Sequence, residues 1–269
     1  MSTNASQFAG SVPEYYERHL VPVIFEPYAQ DLIQRIGRRP DGALLELACG
    51  TGVVTRSLLP RLGADARLTA TDLNQAMVDE AKQRVPDDPR LTWRTADAQA
   101  LPFGDAAFDL VYCQFGIMFL PDKVAGFREA RRVLDPGAPL LFNVWDGFAE
   151  NSFGRIAHET IASFFTRDPP PFYLTPFGYH DTVKLGADLL AAGFTDVAIE
   201  PVAKEAVSPS AHDFAIGLIR GNPVVAMIEE RGGVSPDVVI KAVADQLAQV
   251  GGAQPFRAPI QALVVRATG

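Results

Sequence analysis

Cysteine is scarce in this chain of 269 residues: there are two, Cys49 and Cys113, and no Cys-x-x-Cys pair. That excludes a disulfide framework and a thiolate zinc site, and fits two reduced residues in apolar surroundings. Histidine is hardly more common, at His19, His158, His180 and His212, too far apart for a metal-ligand spacing, so no metal is expected. Basic residues are outnumbered, 24 Lys and Arg against 32 Asp and Glu, for a net charge of −8. Arg128, Arg131 and Arg132 come nearest to a basic face and fit the solvated side of one helix, so nucleic acid is not an expected partner. No apolar run approaches the roughly 18 residues of a membrane span. Met1–Gly10 has neither the basic start nor the apolar stretch of a signal peptide. The expectation left is a cytoplasmic enzyme or binding protein with a small-molecule ligand.

What the chain does have is core material. Apolar residues make up 48% and charged residues 21%, the balance of an ordinary globular α/β protein. Three blocks follow one another. Residues 1–40 are an aromatic lead-in, with Tyr15, Tyr16, Phe25 and Tyr28 in a helical stretch broken by Pro13, Pro22 and Pro27. In residues 41–146, short apolar runs at 43–48, 68–71, 91–94, 110–113 and 140–144 read as buried strands. Amphipathic stretches at 53–62, 74–85 and 123–134 between them read as helices. Strands alternating with helices predict a doubly wound α/β fold around a parallel sheet. Residues 147–269 are less regular: helices at 150–165 and 183–192, a strand at 197–200, two or three helices within 208–254, and a last strand at 262–266.

The segment richest in chemical meaning is Leu44–Thr55, Leu-Leu-Glu-Leu-Ala-Cys-Gly-Thr-Gly-Val-Val-Thr. A buried strand runs into a glycine turn and then a helix. Glycines there allow positive φ and close approach of a ligand to the backbone, and the helix offers unpaired N–H groups. Gly50 and Gly52 alone could be a tight turn. Asp72, 20 residues beyond Gly52 at the end of the second strand, is placed to accept hydrogen bonds from both ribose hydroxyls, which points to an adenosine-containing ligand. Thr55 occupies the position where a dinucleotide fold has its third glycine. Glu46, just before the turn, would repel a pyrophosphate and attract a cationic amino group.

Glu46–Gly52 resembles the first motif of class I S-adenosylmethionine-dependent methyltransferases, and further segments follow in order. Thr71–Met77 resembles the second motif, which implies Asp72 at the ribose and Leu73 and Met77 around adenine. Ala96–Phe103 resembles the third, with Asp97 at the adenine amino group and Ala98 donating its N–H. Phe108–Gly116 resembles the fourth, ending with Gln114 and Phe115 beside the methionine moiety; Glu129–Gly137 matches the helix and turn before the fifth strand. The similarity is to small-molecule enzymes like those of quinone biosynthesis. It implies a Rossmann-like sheet of seven strands with the last antiparallel, S-adenosyl-L-methionine bound by Tyr16, Glu46, Ala48, Gly50, Gly52 and the residues just named, and an N-terminal helical lid over the cofactor. Residues 1–40 would then be the lid, 41–146 the cofactor-binding core, and 147–269 an acceptor cap with C-terminal strands.

The acceptor-side Asn-Pro-Pro-Tyr of amino-methylating relatives is replaced here by Cys113–Gly116, which argues against DNA adenine and protein glutamine as acceptors. Between Phe148 and His180 an apolar wall is expected from Phe153, Phe164, Phe165, Phe172, Tyr173, Phe177 and Tyr179, with helices from 208–254 forming the other side and His180 as the candidate catalytic base for a hydroxyl acceptor. A nicotinamide-dependent oxidoreductase or a non-catalytic binding protein on the same fold remain the alternatives.

Overall fold

The structure, a computed structural model, describes residues 10–269; the first nine residues of the lead-in lie outside it. The prolines of the lead-in start helices more than they break them. Pro13 sits in the first turn of α1 (Val12–His19) and Pro27 in the first turn of α2 (Glu26–Ile36), where a missing N–H costs nothing. Pro22 lies in a single π-helical turn, Val21–Phe25, which joins the two.

Beyond Gly37 the chain alternates as the apolar pattern predicts: β1 (Ala43–Leu47), α3 (Val53–Leu58), β2 (Arg67–Asp72), α4 (Gln75–Arg84), β3 (Leu91–Thr95), β4 (Leu110–Gln114), α5 (Lys123–Val133) and β5 (Leu140–Trp145). There follow α6 (Ser152–Ser163), α7 (Thr182–Ala191) and β6 (Asp196–Ser208), then α8 (Ala211–Arg220), α9 (Val224–Arg231) and α10 (Pro236–Gly251), and finally β7 (Phe256–Thr268). Among the described residues these strands form one seven-stranded sheet in the order β3-β2-β1-β4-β5-β7-β6. The first five pair in parallel and β7 runs antiparallel to both neighbours.

The order reverses at β1, between β2 and β4, and ligands in open α/β sheets sit at the carboxyl ends of the strands beside such a switch point. The side chains of β5 are all buried, as a strand covered on both faces requires. Tyr28, fully buried, ties the lead-in to the far side of the sheet: its hydroxyl shares its proton between the Val202 carbonyl at 2.9 Å and that of Ile260 at 3.2 Å.

The last two strands depart from expectation. Each runs for 13 residues where four or five were expected, while the helices expected between them are present as α8, α9 and α10. The signal was muted because β6 is an edge strand with mostly exposed residues and carries Pro201, while β7 carries Pro259. An edge tolerates proline because one side of the strand has no ladder to complete. Pro259 lies in the part of β7 that extends past β5.

Asn151, the residue before α6, anchors that helix to the sheet. Fully buried, it donates through Nδ2 to the carbonyls of Asp146 and Gln261 and accepts the Gln261 N–H at 3.0 Å. Asn151→Ala strands several buried backbone groups, so a loss of about 2–4 kcal/mol in unfolding free energy is expected by urea denaturation. A loss below about 0.5 kcal/mol would show that this junction is not holding α6 to the sheet.

Candidate functional site

The carboxyl ends of β1, β2 and β4 open into a cavity of about 520 Å³. Its geometry starts at the first strand. Ala48 (φ +53°) and Gly50 (φ +56°) turn the chain back in the left-handed region. A Cβ on Gly50 would meet nothing within 4 Å, so the loop faces open space there. Asp72 holds this loop. Its carboxylate accepts the Gly50 N–H at 2.9 Å on one oxygen and the Asn74 N–H at 2.8 Å on the other. Burial raises the Asp72 pKa and these backbone donors oppose the rise, so the carboxylate is preorganised rather than loose.

Most of the residues read from the motifs meet on this cavity: Tyr16, Ala48, Gly50, Asp72, Leu73, Met77, Asp97, Ala98, Gln114 and Phe115 all line it. Asp97 has two duties, since it also accepts the Gln99 N–H at 2.8 Å and so fixes the turn. Gln114 donates to the Phe25 carbonyl at 3.2 Å, which leaves its buried Oε1 without a hydrogen bond. Phe115, held at φ +53°, gives its N–H to the Asn143 side chain at 3.0 Å and stacks on Trp145 at 4.1 Å between centroids. Gly116 allows the approach of β4 to β1, because a Cβ there would fall 2.4 Å from that of Ala48.

Three expected site residues stand elsewhere. Gly52 does not line the cavity; it caps α3 at φ +81°, and a Cβ would come 2.9 Å from Val85. Its smallness serves packing. Glu46 is buried behind the loop, accepting hydrogen bonds from the Thr55 hydroxyl at 2.5 Å and the Tyr112 hydroxyl at 2.9 Å. It joins β1, α3 and β4 instead of facing a ligand. His180 is exposed, its Nδ1 2.8 Å from the Phe177 carbonyl, and it is not part of the cavity wall. Its neighbours in sequence point away as well: Asp181 caps α7, and Tyr179 lines a separate hollow with Lys123 and Lys184.

The far half of the cavity is aromatic and comes from distant parts of the chain. Trp145 ends β5, Phe153 comes from α6, and Phe172, Tyr173 and Phe177 come from the loop before α7. Phe164, Phe165 and Tyr179, expected in the same wall, are not in it. Leu20, Ile24 and Phe25 of the lead-in and Leu218 and Asn222 at the end of α8 complete it. Phe25 was expected as one ring of the aromatic lead-in, and Leu218 and Asn222 belong to the helical stretch 208–254 expected on the other side of the wall, whereas Leu20 and Ile24 had no signal of their own.

Helix α1 is pinned to the loop it covers. Glu17 accepts the Thr51 hydroxyl at 2.6 Å and pairs with Arg56 at 2.6 Å. Tyr16, on the same helix, stacks on Phe25 at 4.8 Å, and its phenol is pushed up by burial and by the carboxylates of Glu17 and Asp72.

A glycine turn at a switch point, a ribose-type carboxylate and an apolar slot for a base define an adenosine-cofactor site on a Rossmann-like fold. Residues 44–137 match the family model described as a methyltransferase domain. Over those residues the chain is thus similar to a methyltransferase domain, and the cofactor that such a site takes is S-adenosyl-L-methionine. A ubiquinone/menaquinone biosynthesis C-methyltransferase of Shewanella woodyi is 35% identical over 112 residues, 40% of this chain and 45% of the relative. A demethylmenaquinone methyltransferase of Lactiplantibacillus plantarum is 40% identical over 135 residues, 43% of this chain and 57% of the relative. The chain therefore spans about half the length of the curated relatives it matches.

Among solved structures, phosphoethanolamine N-methyltransferase 2 of Haemonchus contortus, in complex with S-adenosylhomocysteine, superposes with a TM-score of 0.62. It is 18% identical and covers 98% of this chain and 58% of its own. The cyclase SpnF superposes at 0.55 with 20% identity, covering 91% of this chain and 81% of its own. The fold thus houses more than one chemistry. Among the described residues no helix is long and apolar enough to cross a membrane, and no cluster of potential metal ligands occurs.

Burial raises the Glu46 pKa to about 7, against the opposing pull of its two hydroxyl donors. Between roughly pH 4.5 and 7 the folded protein then keeps a proton that the unfolded chain has released, so this group's contribution to stability falls as pH rises through that window. Glu46→Gln, neutral throughout, escapes the loss. Its melting temperature relative to the native chain should rise from pH 4.5 to pH 8, by an amount corresponding to a few kcal/mol at most. A difference independent of pH would place the ionisation of Glu46 outside this range.

Proposed function

We propose that this protein transfers the sulfonium methyl group of S-adenosylmethionine to a small, apolar, aromatic acceptor by in-line displacement. The observation that carries the reading is continuity: the end of the cavity lined by Gly50, Asp72, Asp97 and Ala98 opens directly into the aromatic end lined by Trp145, Phe153 and Phe177. A cofactor and an acceptor can therefore meet without leaving the same enclosure. The names of the C-methyltransferases that match the core support a ring acceptor, and the aromatic wall supports it independently.

Asp72 would accept the ribose hydroxyls, Leu73, Met77, Asp97 and Ala98 would hold adenine, and Gly50, Tyr16 and Gln114 would hold the methionine portion. The lead-in from α1 to Phe25 acts as a lid. When bound, S-adenosylmethionine supplies an already activated methyl on a cationic sulfur, so the protein's contribution is alignment and exclusion of water. Positioning of this kind is worth several kcal/mol of barrier. The ring faces of Phe25, Phe115 and Trp145 offer cation–π attraction to a sulfonium.

Among the described residues no strong base lines the aromatic end. The titratable residues among the cavity's lining are Tyr16, Asp72, Asp97 and Tyr173. Only Tyr173 lies on the acceptor side, and its phenol is pushed up by burial, opposite to what a base needs. The acceptor is accordingly a group nucleophilic in the form that enters.

The reading is tested by calorimetry with S-adenosylhomocysteine. Binding is expected, with none to NAD, and Asp72→Ala should weaken it by about 1.5–3 kcal/mol, the worth of a charge-assisted hydrogen-bond pair. Binding of NAD in place of S-adenosylhomocysteine would overturn the reading.

A further inference from the structure

A second hollow, of about 590 Å³, lies outside the cavity that holds the motif residues, and the two share Met118 and Pro121 as a partition. It opens between the start of α5, the loop 174–179 and α7. Two lysines meet one ring in it: Lys123 Nζ lies 5.2 Å and Lys184 Nζ 5.9 Å from the centroid of Tyr179. A ring face attracts a cation but does not neutralise it.

The carboxylates beside the hollow are engaged already. Asp188 accepts hydrogen bonds from Lys184 on both oxygens, at 2.8 and 3.0 Å, and from the Tyr179 hydroxyl at 2.8 Å. Asp122 is turned back to cap α5, where it accepts the Ala125 N–H at 2.9 Å. Lys123, half-buried, gives one N–H to the Leu120 carbonyl at 2.8 Å, and among the described residues no carboxylate stands within ion-pair distance of it. Burial, and then the charge of Lys184, hold its ammonium below the usual lysine pKa, with Asp188 opposing them from farther off.

A half-buried cation with unspent donors gains most from an occupant that brings an anionic oxygen, because a charge-assisted hydrogen bond is stronger than a neutral one. Most of the remaining lining is apolar, and Leu174 is 52% exposed there. An inorganic ion would leave that surface wet, whereas an apolar body would cover it.

We propose that this hollow is a second ligand site, separate from the cofactor cavity, for a small organic anion: a carboxylate held by Lys123 with Lys184 beside it, and an apolar body against Met118, Pro121 and Leu174. Asp188 competes with the occupant for Lys184 and so limits the affinity.

The probe is cyclohexanecarboxylate, with cyclohexanecarboxamide as its neutral counterpart. Each is titrated by calorimetry at low ionic strength into the full chain, with and without S-adenosylhomocysteine. The carboxylate should bind about tenfold more tightly than the amide, and equally well in both conditions. Lys123→Met keeps the apolar stem and should remove the preference, while Lys123→Arg should retain it. Asp188→Asn frees Lys184 and should strengthen the carboxylate several-fold, a gain that damage to the fold does not produce. Equal binding of the two probes, or binding of neither, overturns the proposal. A preference that survives Lys123→Met overturns it too, as does weaker carboxylate binding by Asp188→Asn. Displacement of the carboxylate by S-adenosylhomocysteine would put the anion in the cofactor cavity and overturn the second site.

Discussion

One carboxylate sets the arrangement of the cofactor end. Asp72, at the last residue of β2, bridges the Gly50 N–H of the loop after β1 and the Asn74 N–H at the start of α4. Those two contacts fix the relative position of two strand ends and two helix starts at the switch point of the sheet. Without them the loop would have to satisfy its amides elsewhere, and its positive-φ residues Ala48 and Gly50 would lack the constraint that keeps them turned. On the proposed reading the same carboxylate would also accept the ribose hydroxyls, so that architecture and recognition would rest on one side chain.

A second constraint is hydrophobic. Phe115 stacks on Trp145, Phe25 meets both, and Trp145 in turn meets Phe153 and Phe177 at 5.8 and 6.1 Å. These rings come from the lead-in, two strand ends, α6 and the loop before α7. They form a continuous apolar frame around the aromatic end of the cavity, and such contacts add to their burial by about 0.5–1.5 kcal/mol per pair. The frame explains why residues far from the core motifs belong to the site, and why the insertion of α8 to α10 between the two long strands matters to it.

The five parallel strands and the cofactor half were legible because their signals are local. Strand, turn and helix are contiguous in Leu44–Thr55, and the recurring acidic residues Asp72 and Asp97 fall at strand ends by simple counting. The acceptor half was legible only in composition. Phe172, Tyr173 and Phe177 announced an aromatic wall and the helices within 208–254 its other side, whereas nothing marks Leu218 and Asn222 individually within that stretch, or Leu20 and Ile24 in the lead-in. Glu46 and His180 misled for opposite reasons. Charge read along the sequence takes no account of burial, and Glu46 is consumed by Thr55 and Tyr112. Adjacency in sequence takes no account of direction, and the loop 172–180 turns Phe177 inward while leaving His180 outside.

On the proposed reading the lead-in helix and the motif loops enclose a common cofactor, with Glu17 latching α1 to Thr51 and Arg56. Amide hydrogen exchange with and without S-adenosylhomocysteine reads this directly, because it reports local opening segment by segment. The account predicts added protection in residues 15–25 together with 49–52 and 73–77. Protection of the loops with residues 15–25 unchanged would contradict it, and would show that the aromatic lead-in is packing and not a lid.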